Sequence, residues 1–353
     1  MTSGRPRRLG IGRPITAVSL ALLLAVAAAM AVAVTANAPG RDPERGCLSG
    51  DNASQDGDGD GVLVLAGGFG ERRFKDMAMA PDTVIDARSA RWRGRQAYPV
   101  EVDGGSGICL SGGRIRGTWS AQTSWREMHS TIGVEVHSRR PTVEDLRVSD
   151  YGDAVRLVYR AQDFEVRRVH LSDIRDDCVE DDWLHSGTIR DSLLDGCYNA
   201  FSARTYDGQR DVSDGSDNLL TVERSLVRLQ PMARTYNDEG EPGTAGFFKW
   251  DPRGPRLSLH DNVFRADQPA GTVGLGIPPG KLASCSGNVM VWLGRGPYPD
   301  PLPPCFRITR DVGVWDEAVA QWRRLHPPRH RSPRDTTPPT HGVAALVPMQ
   351  DAR

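Results

Sequence analysis

Between residues 131 and 311 the chain restarts one pattern about every 20 to 25 residues, with two longer spacings: a short apolar strand, a turn, then a second strand. The first strands read Gly133-Val-Glu-Val136, Ala154-Val-Arg-Leu157, Cys178-Val-Glu180, Ala200-Phe-Ser202, Phe247-Phe-Lys249, Val273-Gly-Leu275 and Phe306-Arg-Ile308. The second strands carry Val143, Leu146 and Val148, then Val166, Val169 and Leu171, and so on to Cys285, Val289 and Met290. A period of this length defines a solenoid, because no single repeat buries its own apolar face and neighbours must stack to make a core. The chain is therefore expected to be all-β, one elongated domain over 62–326.

The opening coils are irregular. Val62-Leu-Val-Leu65, Thr83-Val-Ile-Asp86, Tyr98-Pro-Val-Glu-Val102 and Ile108-Cys-Leu110 alternate apolar and polar residues and lead into Gly112-Gly-Arg-Ile-Arg-Gly117. Two insertions, 205–218 and 231–246, break the later rhythm; loops leaving a rigid solenoid commonly wall a binding surface. Residues 314–325 carry apolar side chains at helical spacing, which predicts a short helix covering the open end of the stack. From 327 to 353 the chain is rich in Pro, Arg and Thr and reads as a disordered tail.

Ahead of the domain, 39–61 lacks apolar periodicity and reads as a flexible acidic linker. Its Asp56-Gly-Asp-Gly-Asp-Gly61 begins like a calcium loop, yet the twelfth position is Gly67 where a bidentate Glu is needed. Residues 1–38 read as a targeting segment: Arg5, Arg7, Arg8 and Arg13 precede an apolar run from 15 to 34, followed by small residues. Export is expected, by a cleaved signal with Val34-Thr35-Ala36 at the cut or by a retained signal anchor, since the run approaches the roughly 20 residues that span a bilayer. Membrane contact is expected through that anchor alone, and the domain is expected to be a monomer.

Six cysteines in an exported chain permit disulfides. Spacing suggests Cys47 with Cys109, Cys178 with Cys197 and Cys285 with Cys305, the last two about one coil apart. The other reading of Cys178 and Cys197 is two buried small apolar residues. The formal charge, 44 Lys+Arg against 45 Asp+Glu, offers no electrostatic case for nucleic acid.

Coils of this length without a Leu-rich consensus resemble the right-handed parallel β-helix of the pectin-lyase-like superfamily, over roughly residues 62–325. Gly112-Gly-Arg-Ile-Arg-Gly117 resembles an early coil of that superfamily, and Asn262 and Asn288 fall at equivalent turns, expected two coils apart. Asp176-Asp177-Cys178-Val179 is similar to the Asp-Asp-Cys-Val stretch of polygalacturonases, where the paired aspartates belong to an inverting hydrolytic site. By the same resemblance Asp153 matches another catalytic aspartate and Lys249 a substrate-binding lysine. The chain departs from that family in carrying Tyr198-Asn199-Ala200 for Gly-His-Gly, Phe247 for an arginine, and Tyr151-Gly152-Asp153 for Asn-Thr-Asp.

The chemistry is also readable without the family. Adjacent coils lie ~4.8 Å apart, which would stack Asp153, Asp176, Asp177 and Asn199 near one strand entrance. An inverting glycosidase needs an acid and a base about 6.5–9.5 Å apart, roughly the reach across two coils. Crowded like charges would raise one carboxyl pKa, as an acid requires. The competing reading is an acidic turn that is merely solvated or holds a structural cation. Parity places Arg156, Glu180, Ser202 and Lys249 outward on one sheet, with Asp182, Arg204 and Trp250 at its edge.

The expected catalytic groups are thus Asp153, Asp176, Asp177 and Glu180, and the expected substrate contacts Arg156, Asn199, Arg204, Lys249 and Trp250. Trp119, Trp125 and Trp183 are further candidate sugar platforms or packing residues. The function read from these residues is binding or cleavage of an extracellular, acidic polysaccharide. Hydrolysis is set against β-elimination, in which Arg156, Arg204 or Lys249 would serve as base, and against a non-catalytic adhesin-like solenoid. No organic cofactor is expected, and calcium is the one ion left open.

Overall fold

The computed structural model describes residues 46–48, 61–69, 74–206, 208–232, 243–271 and 273–328. The targeting segment, the 56–61 turn up to Asp60, the 233–242 part of the second insertion and the tail from 329 lie outside the described residues. Among the described residues no helix is long and apolar enough to cross a membrane.

The fold is a parallel β-helix, and each full coil carries three strands where the sequence suggested two. The first sheet stacks Phe74–Ala78, Val100–Ser106, Ile132–Arg139, Asp153–Leu157, residues 177–180, residues 199–203 and Gly246–Trp250. The second runs from residues 62–64 and 84–86 through Cys109–Ser111, Thr142–Glu144, Phe164–Arg167 and Gly187–Arg190 to Leu219–Glu223, Arg256–His260 and Leu282–Ser286. The third follows it, from residues 66–68 and 89–94 through Arg114–Gly117, Arg147–Ser149, 170–174 and 193–197 to Leu226–Leu229, Val263–Ala266, Asn288–Trp292 and Phe306–Thr309. All of these ladders are parallel, so each strand's backbone groups are satisfied by the coils above and below it.

Two corrections follow. Residues 273–275 form only a single bridge, Gly246 to Gly274, and Phe306–Thr309 pairs with Asn288–Trp292 and so belongs to the third sheet. The apolar spacing identified these segments as strands without showing which face they join.

The corner between the second and third sheets explains why the middle of each coil looked like one strand. It consists of one left-handed residue on successive coils: Asp145, Arg168, Asp191, Arg224 and Asp261, each with φ between 47° and 55°, and then Gly287 at 65°. Charge alternates along this edge, and Arg168 and Arg224 bond the aspartates one coil earlier, at 3.0 Å to Asp145 and 2.8 Å to Asp191. Just behind it the Ser192 amide donates to Ser225 Oγ, the Ser225 amide to Asn262 Oδ1, and the Asn262 amide to Asn288 Oδ1. Asn262 and Asn288 are therefore on adjacent coils, not two apart, and serines continue the ladder where asparagine stops.

The interior is filled by inward rows such as Val100, Val134, Val155, Val179, Phe201 and Phe248, all buried. Phe201 stacks on Phe248 at 5.5 Å, and Phe247 meets Phe264 edge-on at 5.2 Å. Each such side chain contributes roughly 1.5–3 kcal/mol of burial free energy. All three suggested disulfides are present, Cys47–Cys109, Cys178–Cys197 and Cys285–Cys305, as suits a protein of an oxidising compartment. Cys47 thereby pins the stretch read as a linker to the domain, and its amide also donates to Glu144 Oε1.

The C-terminal helix, Val312–Leu325, is capped by Asp311, whose side chain accepts from the Gly313 amide. It does its covering on the side of the stack rather than across its end. Trp315, Val319 and Trp322 bury themselves against Leu193, Leu226 and Val291, an apolar patch on the outer face of the third sheet. Trp322 Nε1 donates to the Asp191 carbonyl at 2.6 Å.

Candidate functional site on the first sheet

Because side chains alternate along a strand, the residues after the inward valines and phenylalanines point outward. Register aligns Glu101, Glu135, Arg156, Glu180, Ser202 and Lys249 in one row across six coils. Two positions before the inward row, at the strand entrances, stand Asp153, Asp177 and Asn199, all fully buried. The strand His170–Glu180 is irregular between Ile174 and Asp177, and this irregularity brings Asp176 and Asp177 to the same entrance.

The groups are locked together. Asp153 Oδ1 accepts from the Asp177 amide at 3.0 Å, and Arg156 Nη2 spans Asp153 Oδ2 at 2.5 Å and Glu180 Oε2 at 3.1 Å. Asp177 accepts from Asn199 Nδ2 at 2.5 Å and from Lys249 Nζ at 2.7 Å. Asp182 Oδ1 accepts from Ser202 Oγ and from the Arg204 amide. Asp176 Oδ1 accepts from Trp125 Nε1 at 3.1 Å. Trp125 opens the short helix Trp125–Met128, which is held by a capping box between Ser124 and Glu127.

Five buried carboxyls face two cations, so they cannot all ionise. Burial, then the charge of Glu180, pushes Asp153 well above the ordinary carboxylate range. Glu180 goes the other way: burial would raise it, but Arg156, the hydrogen bond from Asp153 and Lys249 hold it lower. Asp153 and Glu180 are thus pushed in opposite directions and titrate as one pair. Burial and Asp177 raise Asp176 well above the usual range, burial and Glu180 do the same to Asp182, and Asp177 is raised by burial against the pull of Lys249. Lys249 and Arg156 would lose affinity for their protons by burial, yet the surrounding carboxylates hold both well above their ordinary values.

These facts bear on the chemistries expected from the sequence. Carboxylate oxygens of Asp153, Asp177 and Glu180 lie within 4.8 Å of one another. That is tighter than the about 6.5–9.5 Å of an inverting pair, so these three behave as one charge-sharing group, and a flanking pair must include Asp176 or Asp182. The same three oxygens could take a divalent cation, in competition with Arg156 and Lys249, and Glu101, Glu135 and His137 form a second such group on the same sheet. A lyase base must give up its proton near neutrality, and Arg156 and Lys249 are instead held protonated.

The other candidates separate. Arg204 is exposed at the edge of the sheet, tied to the site only through its amide. Trp250 is turned to the core side, edge-on to Phe248 with Nε1 donating to the Pro255 carbonyl. Trp183 is buried beside Tyr159, and Trp119 packs with Met128, Tyr198 and Met232. Of Trp119, Trp125 and Trp183, Trp125 is the one that reaches the cluster, through its bond to Asp176, a contact that sequence reasoning did not foresee. Tyr159 it missed altogether. Tyr159 is 52% exposed and lies beside a hollow of about 400 Å³ that it lines with Asp103, His137, Arg160 and Asp211. Glu135 sits one coil before Arg156, bonded to His137 Nε2 at 2.8 Å, a position that parity alone would have named.

Comparison with protein-family models, with curated proteins and with solved structures finds no match for this chain.

Proposed function

We propose that the outer face of the first sheet binds an acidic polysaccharide of the extracellular space and hydrolyses it, with Asp176 donating a proton to the leaving oxygen and Glu180, held ionised, taking the proton of the attacking water. The observation that carries this reading is the buried carboxyl cluster whose members are pushed to opposite protonation states beneath two partly exposed cations, Arg156 and Lys249. Asp176 keeps its proton through burial and Asp177, and only one of its oxygens is engaged by the protein. Asn199 Oδ1 is buried with no protein donor, and a sugar hydroxyl reaching it would relieve a cost of about 1–3 kcal/mol. Arg156 and Lys249 suit glycan carboxylates, and the Tyr159 ring suits the apolar face of a sugar. The three disulfides and the N-terminal apolar run support export. The coil architecture and Asp176-Asp177-Cys178-Val179 support placing the chain among pectin-lyase-like proteins, with a site rebuilt around Asn199 and Phe247.

A second reading, a non-catalytic glycan-binding solenoid, is favoured by one observation. Asp153 and Asp177 have no exposure, and each of their oxygens is bonded within the protein. A panel of uronate-containing oligosaccharides separates the two. Hydrolysis predicts release of reducing ends by the wild type and none by Asp176→Asn, which still binds. Binding without product from any member of the panel leaves the second reading.

A further inference from the structure

The balanced net charge conceals a one-sided face. On the outer surface of the third sheet, parallel register stacks Arg91, Arg114 and Arg147 in one row and Arg93 and Arg116 in the next. Neighbours in a row are ~4.8 Å apart along the coil axis. Arg91, Arg93, Arg114 and Arg116 are exposed, and none has a carboxylate partner among the described residues. Like charges at this spacing repel, whereas the arginines of the neighbouring corner are neutralised, Arg168 by Glu144 and Asp145 and Arg224 by Asp191 and Glu223. Three of the four, Arg93, Arg114 and Arg116, line a groove of about 860 Å³.

Five arginines line that groove, Arg93, Arg114, Arg116, Arg147 and Arg175, against two aspartates. Both aspartates are already engaged, Asp150 by Arg175 and Asp173 by Gln230 Nε2. Arg147 donates to the Arg168 and His326 carbonyls and lies over the Trp322 ring at 5.1 Å, so the helix Val312–Leu325 fixes its position. The positive field is felt in the same wall, where burial and then Arg147 push His170 down to about 4. Trp119 lines the same groove, its Nε1 buried without a partner.

We infer that this groove is a docking site for a linear anionic glycan, running along the coil axis with its carboxylates or sulfates on Arg93, Arg114 and Arg116. Guanidinium forks pair with such groups through two parallel hydrogen bonds, a geometry that a lysine does not offer. A groove with walls admits a chain and excludes a flat membrane. A chain stapled by three disulfides works in an oxidising compartment, where the abundant linear polyanions are glycans rather than nucleic acids. The site is separate from the first-sheet face and stands whether or not that face is catalytic.

Site-resolved labelling tests it. Arginines of the full chain are modified with hydroxyphenylglyoxal and read by mass spectrometry, alone and with a uronate hexasaccharide, a sulfated hexasaccharide, a single-stranded oligonucleotide or neutral dextran. Protection of Arg93, Arg114 and Arg116 by one or both anionic sugars, with the exposed Arg256 and Arg307 unchanged, is the expected result, and the two arms tell carboxylate from sulfate. The protected affinity should fall at least about tenfold in Arg93→Ser/Arg114→Ser/Arg116→Ser, and in the wild type it should fall as ionic strength rises. Protection that is equal with dextran, absent with both anionic sugars, or stronger with a single-stranded oligonucleotide overturns the inference. Loss of activity in Asp176→Asn with groove protection intact would mark the two surfaces as independent.

Discussion

Lys249 Nζ donates to Asp177 Oδ2 at 2.7 Å across 72 residues of chain and an intervening coil, placing the cation of one strand over the fully buried carboxylate of another. Removing one member of such a pair leaves the other buried and uncompensated. Lys249→Met is expected to lower stability by about 3–5 kcal/mol, read as a shift of the urea midpoint. Lys249→Met combined with Asp177→Asn should recover much of that loss; a double-variant loss equal to the sum of the Lys249→Met and Asp177→Asn losses would mean that the pair is not coupled.

The carboxyl cluster gives stability an unusual pH dependence. Asp153, Asp176 and Asp182 have folded pKa values well above 3.8, so the folded chain holds protons that the unfolded chain has released. Their contribution is full below that value and declines as pH rises through the folded values. Glu144 has the opposite sign: burial would raise it, but Arg167, Arg168 and Ser111 hold it below 4.5, so its contribution is lost on acidification. Urea midpoints measured against pH should show the Asp176→Asn curve flatter than wild type on the rising-pH side and unchanged at the acid end. Parallel curves would remove Asp176 from the proton-holding set.

Gly152 precedes Asp153 with no room for a side chain. A Cβ there would lie 1.8 Å from the Met128 carbonyl oxygen and 2.8 Å from that of Thr131. Gly152→Ala must push the backbone of the site apart, at about 1–3 kcal/mol, and glycan binding at the first sheet should weaken with it. Wild-type thermal stability in this variant would show that the turn yields freely.

The disulfide between Cys178 and Cys197 closes a separation of 19 residues beside the site. Cys178→Ala/Cys197→Ala should cost about 3 kcal/mol by loop-closure entropy. The check is chemical denaturation of the variant against the oxidised wild type.

Trp322 anchors the C-terminal helix, 6% exposed and bonded to the Asp191 carbonyl. Trp322→Ala should destabilise by about 3–5 kcal/mol and should loosen Arg147, which lies over its ring. Hydrogen exchange confined to 312–325 would show the helix docked independently; wider exchange would show it to be part of the coil's cooperative unit.

What the sequence determined by itself is the periodic part of this protein. Apolar alternation at a repeat of one coil marks the strands, and parity places Arg156, Glu180, Ser202 and Lys249 on one outward row, because a strand has only two faces. Cysteines one coil apart could be paired for the same reason. The tertiary structure alone decided which sheet each strand joins, since the single left-handed residues at Asp145, Arg168 and Asp191 turn the chain without breaking its apolar rhythm. It alone placed Trp125 on Asp176, turned Trp250 toward the core and laid the helix on the side of the stack, because those outcomes depend on contacts between distant segments. The protonation of the carboxyl cluster was likewise out of reach of the sequence. Paired aspartates can be seen in a string of residues, but whether they ionise depends on how deeply they are buried and which cation the neighbouring coil supplies.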